Sequence, residues 1–231
     1  MKLILFTLIT IFIYMLAKRA YKKWPFPFLH PLLISPLAII LLITAANVPA
    51  AEYLEGSKWI SHLLGPATVA FAIPIYKHMH LLKKYLRNII LSITTGTLVA
   101  IFSSFALSLF MHLSPDLIVS ILPRSITTPI AIEVSKEIGG LPALTTVFVI
   151  FTGVIGGIIG PSAIKWLSIT SPVARGLALG MGAHGVGTNK AREYGEQEAT
   201  FSTLAMILAA WITMFWGNSL IPLMTRIIPQ M

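Results

Sequence analysis

Apolar runs of roughly bilayer length, parted by short basic, glycine or proline joints, set the pattern of this chain. A helix needs about 20 apolar residues to cross a hydrocarbon core of about 30 Å. Residues 3–17, 29–45, 89–111, 141–167 and 201–228 read as such runs, the second carrying Pro31 and Pro36 in its first half. Residues 62–76 form a shorter run, interrupted at Gly65-Pro66 and at Pro74. Residues 77–87 place apolar side chains at 79, 81, 82, 85 and 86 among bases, the pattern of a helix lying along a membrane interface. Residues 175–188 are glycine-rich and 189–198 are polar. The first run ends in Lys18, Arg19, Lys22 and Lys23 without a small-residue cleavage site, which predicts a retained anchor.

Residues 121–133 break this pattern. They set Arg124, Ser125, Thr127, Thr128, two prolines and Glu133 inside an apolar context. A charge at membrane depth costs at least about 2.5 kcal/mol, so Arg124 is expected to face protein or water and to have a partner. Pro129 suits the first position of a helix, with Thr128 before it as the N-cap. The segment therefore reads as a broken helix whose half-helix begins at mid-membrane. Its free N–H groups and positive dipole end then lie beside a guanidinium, which is a place for an anion. A guanidinium fork matches a carboxylate, and the hydroxyls of Ser125, Thr127 and Thr128 supply orienting donors. The competing reading has Arg124 snorkelling near the surface, eight residues after Asp116. Glu133 is a candidate partner for Arg124, a candidate proton carrier, or a residue of the interface.

Composition agrees with the pattern. Hydrophobic residues make up 56% of the 231, charged residues 11%, and mean hydropathy is +0.84. These values predict an all-α polytopic membrane bundle of about seven to eight hydrophobic segments, two of them interrupted by breaks or re-entry. One domain over 1–231 fits better than two, with loose halves 1–113 and 114–231. The net charge of +9 lies in short clusters between apolar runs, as the positive-inside rule expects, and does not point to nucleic acid. With no cysteine there is neither a disulfide framework nor a thiolate metal site.

Placing the bases at 18–23 and 77–87 in the cytoplasm puts the N-terminus outside. In the second half Lys and Arg are scattered among acids, so orientation there is weakly marked, and re-entry of a broken segment would change the count of crossings. The halves share a loose likeness. Each has a span opening near a proline (His30-Pro31-Leu32-Leu33, Leu141-Pro142-Ala143-Leu144) and a short interrupted segment (Leu64-Gly65-Pro66-Ala67, Leu179-Gly180-Met181-Gly182). Paired interrupted segments are a pointer to a transporter site, although chance likeness among glycine-rich apolar runs competes with that reading.

The second candidate element, Gly180 to Thr188, contains the G-x-G-x-x-G spacing of a dinucleotide loop. Without a preceding strand or a β-α-β unit, that match carries no nucleotide chemistry. Glycines here permit close helix approach or expose backbone to a ligand, and His184 can carry a proton or donate to an anion. A hydrogen-bonded structural histidine is the alternative. Gly153, Gly156, Gly157 and Gly160 read as helix packing. His78 and His80, two residues apart, do not share a helix face and sit among bases, which disfavours a metal. No nucleophile, base and acid set is present, so the chain is expected not to be an enzyme and to need no cofactor.

These same residues carry a resemblance. Leu64-Gly65-Pro66-Ala67-Thr68-Val69-Ala70, the run Ile121-Leu122-Pro123-Arg124-Ser125-Ile126-Thr127-Thr128-Pro129-Ile130-Ala131, Gly139-Gly140-Leu141-Pro142-Ala143-Leu144, and Ala174-Arg175-Gly176-Leu177-Ala178 with His184-Gly185 and Gly187-Thr188 resemble the LrgB/CidB family. The likeness covers nearly the whole chain. Members often carry lysine at the position of Arg124 and asparagine at that of His30. The resemblance implies one of two functions. One is an antiholin-like partner of a small LrgA/CidA-type membrane protein, modulating murein hydrolase activity and autolysis. The other is a carrier of small monocarboxylates, pyruvate in bacterial relatives, glycolate and glycerate in the plastid one. The carrier is the favoured expectation, because an intramembrane cation, broken helices and a histidine are costly unless used. The expected substrate set is Arg124, Ser125, Thr127, Thr128, Pro129, His184, Gly185 and Thr188. His184 and Glu133 are the proton-coupling candidates, and Gly65, Pro66 and Thr68 belong to a second wall. The expected partners are the bilayer of a bacterial cytoplasmic membrane, the carboxylate, the LrgA/CidA-type protein and further copies of the chain.

Overall fold

The computed structural model describes residues 2–24, 26, 29–70 and 72–227, without the side chains of 2, 3, 64, 67, 68, 74 and 75. Every regular element among the described residues is helical. The chain divides into two compact units, Met1–Ala72 and Ile73–Met231.

In the first unit, α1 (Lys2–Lys23) and α2 (Pro31–Ala45) are followed by the short helices α3 (Ala50–Gly56), α4 (Lys58–His62) and α5 (Leu64–Ala70). The Phe6 ring stands 5.4 Å from that of Tyr53, over the space a side chain at Gly56 would fill. His30 takes the cap of α2: its Nδ1 accepts the Leu32 N–H at 3.3 Å, and Pro31 occupies the first turn, where no N–H partner is needed. The run 62–76 does not form one span. It is shared among the end of α4, α5 and α6 (Ala72–Lys77), each too short to cross.

After α6, the second unit continues with α7 (Met79–Phe110), which takes in residues 79–87 of the basic stretch expected to lie along the interface and the span after it. No proline separates them, so nothing ends the helix between its charged start and its apolar body. Then come α8 (Pro115–Ile121), a 3₁₀ turn (Leu122–Ser125), α9 (Thr128–Glu137), α10 (Pro142–Trp166), α11 (Pro172–Tyr194), α12 (Glu196–Asn218) and α13 (Leu220–Thr225). α1, α7, α10 and α12 are long and apolar enough to cross a membrane. The protein is an all-α membrane bundle.

Both interrupted segments of this unit turn back on themselves. In the first, α8 and α9 flank the 3₁₀ turn, and the chain leaving α9 returns to α8. The Leu141 N–H donates to Ser120 Oγ at 2.8 Å, and Thr145 Oγ1 donates to the Ser120 carbonyl at 2.9 Å while meeting Ser135 Oγ at 2.7 Å. The end of α7 and the start of α10 therefore share one end of the bundle. In the second, α11 is two arms joined at His184, whose φ of 35° and ψ of −115° no helix contains. A side chain at Gly187 would overlap the Leu179 carbonyl, and Arg175 Cζ stands 5.5 Å from the Tyr194 ring. Neither contact exists in a straight helix rising 1.5 Å per residue.

The three long helices alternate around these hairpins. Gly153 meets His184 and Gly160 meets Leu179, so α10 runs against the first arm of α11. Gly176 meets Glu198 and Phe201, and Gly180 meets Ser202, so α12 runs alongside that arm. The α8–α9 hairpin thus enters from the end where α7 finishes, and the α11 hairpin from the opposite end, where α12 begins. Between them lies a core of Ile89, Ile93, Ile126, Ala131, Val134, Val149, Phe201, Leu204 and Ala205. A second cluster, Ile101, Phe105, Ile118, Leu122, Ile221 and Met224, anchors α8 and α13 to the far part of α7.

Candidate functional site

Pro123 bends the first hairpin with φ −83° and ψ 16°, after which Ile126 and Thr127 are extended and α9 begins. The start of α9 differs by one residue from the sequence expectation. Thr127 is the cap, without a side-chain bond, Thr128 is the first helical residue and Pro129 the second. Either of the first two positions leaves the N–H unused, so proline is accepted at both. Ser125 is buried in the turn, and Thr127, Thr128 and Pro129 are half-buried at the start of α9.

Arg124 points from this turn between two helices. Its Nε donates at 2.8 Å to Ser104 Oγ of α7, whose own proton goes to the Ala100 carbonyl, and its Nη1 donates at 3.4 Å to Thr152 Oγ1 of α10. No carboxylate pairs with it among the described residues. A guanidinium carries five N–H donors, and two neutral hydroxyls leave its charge unanswered. Glu133 lies exposed on α9 and pairs with Lys136 at 2.8 Å.

The second tip meets the first. The imidazole of His184 lies close enough to Arg124 to meet both its backbone and its charge. The residue is 6% exposed, and Nε2 is buried without a hydrogen-bond partner. A methyl group at Gly153 would come within 2.6 Å of His184 Cε1, so glycine there seats the ring. Thr188 Oγ1 donates to the His184 carbonyl at 3.0 Å and meets Ser202 Oγ at 3.1 Å, tying the tip to α12. Gly185 is exposed with open space where a side chain would stand. Positive φ at a non-glycine residue costs of the order of 1–3 kcal/mol and persists only where the surroundings hold it.

Two half-helices thus begin at mid-depth, α9 from one hairpin and the second arm of α11 from the other. Each N-terminus contributes roughly +0.5 of an elementary charge, opposed in part by the C-terminal ends of α8 and of the first α11 arm. Arg124 tips the balance to positive. The arrangement is a half-buried cation with hydroxyls around it and the His184 ring beside it, suited to a small anion.

Sequence reasoning placed Arg124 and His184 at interruptions but missed Ser104, Thr152 and Gly153, which seat them. Their only signal is a small or hydroxyl residue in an apolar helix, which many helices carry for packing. Gly65 and Pro66 lie on α5 of the first unit, both exposed, and the Thr68 side chain falls outside the described residues. The described residues hold no group of three metal-ligating side chains.

Fold and site define a polytopic all-α membrane protein with two opposed re-entrant hairpins. The chain belongs to the LrgB-like family, which matches residues 10–223. It is 45% identical over 206 residues to the uncharacterized protein YwbG of Bacillus subtilis, covering 89% of this chain and 92% of that one. The uncharacterized protein YxaC of the same organism is 39% identical over 214 residues, 93% of each chain. The holin-like protein CidB of Staphylococcus aureus is 38% identical over 210 residues, 91% of this chain and 92% of that one. No solved structure matches the chain.

Proposed function

We propose that this protein carries small monocarboxylates of the pyruvate or glycolate kind across a bacterial cytoplasmic membrane. The observation that carries the reading is Arg124 at the tip of one re-entrant hairpin, with hydroxyls for partners and no acid among the described residues, beside the tip of the other. A charge held at that depth without a counter-ion is a binding site for one. The carboxylate takes the guanidinium donors left over from Ser104 and Thr152, together with the free N–H groups at the start of α9. On this reading Ser125, Thr127 and Thr128, next to Arg124 along the chain, and Gly185, next to His184, supply the remaining contacts. Because the hairpins enter from opposite ends, loosening either one opens the site to one side only, which is the geometry alternating access requires.

Folding also gathers charges that are scattered along the sequence. Lys77, Lys83, Lys84, Arg87, Lys165, Arg175, Lys190 and Arg192 lie toward the end where α12 begins, and Lys136 and Arg226 toward the other, with Asp116, Glu133 and Glu137. The positive-inside rule then assigns the α11 hairpin to the cytoplasmic side and the Arg124 hairpin to the outer side.

A second reading is favoured by the name of the CidB relatives, holin-like: the resemblance extends it to a modulator of murein hydrolase activity working with an LrgA/CidA-type partner. Purified protein in liposomes separates the two. Saturable uptake and counterflow of labelled pyruvate or glycolate, abolished by Arg124→Ala and partly kept by Arg124→Lys, is expected of the carrier. Leakage of an entrapped dye without saturable uptake, or unchanged carboxylate flux in Arg124→Ala, would overturn it.

A further inference from the structure

Among the described residues of the second unit, the ionisable side chains that meet at mid-depth are Arg124 and His184. The neighbouring stretches 88–110 of α7, 142–164 of α10 and 199–218 of α12 contain no Asp, Glu, Lys, Arg or His. What these helices bring to the tips is neutral: Ser104 and Gly96 from α7, Thr152 and Gly153 from α10, Ser202 from α12. The nearest acid on α12 is Glu198, which stays at the base of the α11 hairpin against Gly195 and 3.9 Å from Arg175. On the α11 arms themselves, Arg175, Lys190, Arg192 and Glu193 lie toward that base. Glu133 is exposed on α9 and held by Lys136.

We infer that His184 is the proton carrier of the transport cycle, so that each monocarboxylate crosses together with one proton taken up at His184 Nε2. This rests on the carboxylate reading of the same site. The electrostatics follow from who faces whom. In the empty site the imidazole stands beside the Arg124 backbone and beside a guanidinium that no carboxylate among the described residues balances. A carboxylate bound on Arg124 cancels that charge and presents its own beside the ring, which favours the imidazolium. By reciprocity the imidazolium favours the carboxylate. Proton and anion therefore load and leave together, and neither Arg124, which does not give up its proton, nor Glu133 takes part in the exchange.

His184 also sets the tip. Its backbone holds the positive φ on which the α11 hairpin reverses, its carbonyl takes the Thr188 hydroxyl, and its ring fills the seat above Gly153. A change in the charge of this ring therefore acts at the hinge of the cytoplasmic hairpin rather than at a distance from it.

The test uses full-length protein in liposomes holding a pH dye, with labelled pyruvate as probe. Wild type is expected to show counterflow at equal pH on both sides, to accumulate pyruvate several-fold when the outside is acidic, and to acidify the lumen during that uptake. Its apparent affinity should fall by up to about tenfold per pH unit as the imidazolium is lost. His184→Gln, and His184→Asn as a second variant that tolerates positive φ, should lose the accumulation and the lumenal acidification, with counterflow lowered but measurable and no longer dependent on pH. Glu133→Gln should keep all three. Uptake by wild type without proton movement overturns the inference, as does gradient-driven accumulation surviving in both His184 variants. Loss of counterflow in both, with helical content intact, would make His184 part of anion binding alone and overturn it too. Absence of counterflow in wild type sinks the carrier reading itself, and so is told apart from failure of the coupling.

Discussion

Arg175 and Tyr194 occupy opposite ends of one helical segment, Pro172–Tyr194, yet Arg175 Cζ stands 5.5 Å from the Tyr194 ring. The segment must reverse between them, and it does so at His184. The first arm, Pro172 to Ala183, rises about 18 Å at 1.5 Å per residue, a little over half of a 30 Å hydrocarbon core. Arg175 also donates from Nε to the Ile169 carbonyl at 2.8 Å and faces the buried Glu198, so one side chain closes the base of the hairpin against α12.

Re-entry has a direct consequence for sidedness. The chain has no cysteine, so single cysteines can be introduced without background. Ser171→Cys and Glu193→Cys, at the two ends of α11, should react with an impermeant maleimide from the same face. Ser114→Cys and Glu137→Cys should react from the other. Labelling of Ser171→Cys and Glu193→Cys from opposite faces would show that α11 crosses.

The hairpin arms approach at a glycine. A side chain at Gly187 would overlap the Leu179 carbonyl, a backbone atom that cannot swing aside. Gly187→Ala is expected to cost about 1–3 kcal/mol and to lower the melting temperature in detergent. Gly182→Ala, where the added methyl meets open space, should stay within about 0.5 kcal/mol of wild type. Equal melting temperatures for the two variants would contradict the close contact.

Ser104 and Thr152 act through Arg124 by holding its fork. On the carrier reading, Ser104→Ala removes the 2.8 Å bond and should raise the half-saturation concentration for pyruvate roughly tenfold, the equivalent of about 1.4 kcal/mol, with little change in maximal rate. Thr152→Val, which removes a bond 3.4 Å long, should do less. If the rate falls while half-saturation holds, the two hydroxyls serve a later step than anion binding.

Much of this protein could be read along the chain. Long apolar runs have no stable place in water, so the composition alone implied a helical membrane bundle. Arg124 and His184 stood out because a charge and an imidazole are expensive in such surroundings, and the run around Arg124 was enough to suggest the family. What could not be read is how each interruption resolves. The basic stretch at 77–87 looked like an interfacial helix, since amphipathic pattern alone does not say whether a helix stops or continues into a span. Continuous pairing of backbone groups from Met79 onward made residues 79–87 the first turns of α7.

The direction of each hairpin was likewise decided only in three dimensions. A proline or a glycine cluster marks a break, but a broken helix can continue or turn back, and local propensity is the same in both cases. At Ile121 to Thr127 the choice is made by Ser120, Ser135 and Thr145, distant in sequence and joined by hydrogen bonds. At His184 it is made by Gly176, Gly180 and Gly187, whose missing side chains let backbone pack on backbone. Sequence marked a cation and an imidazole at the interruptions of apolar runs; tertiary packing brought the two hairpin tips together from opposite ends, because only there do the same three helices flank both.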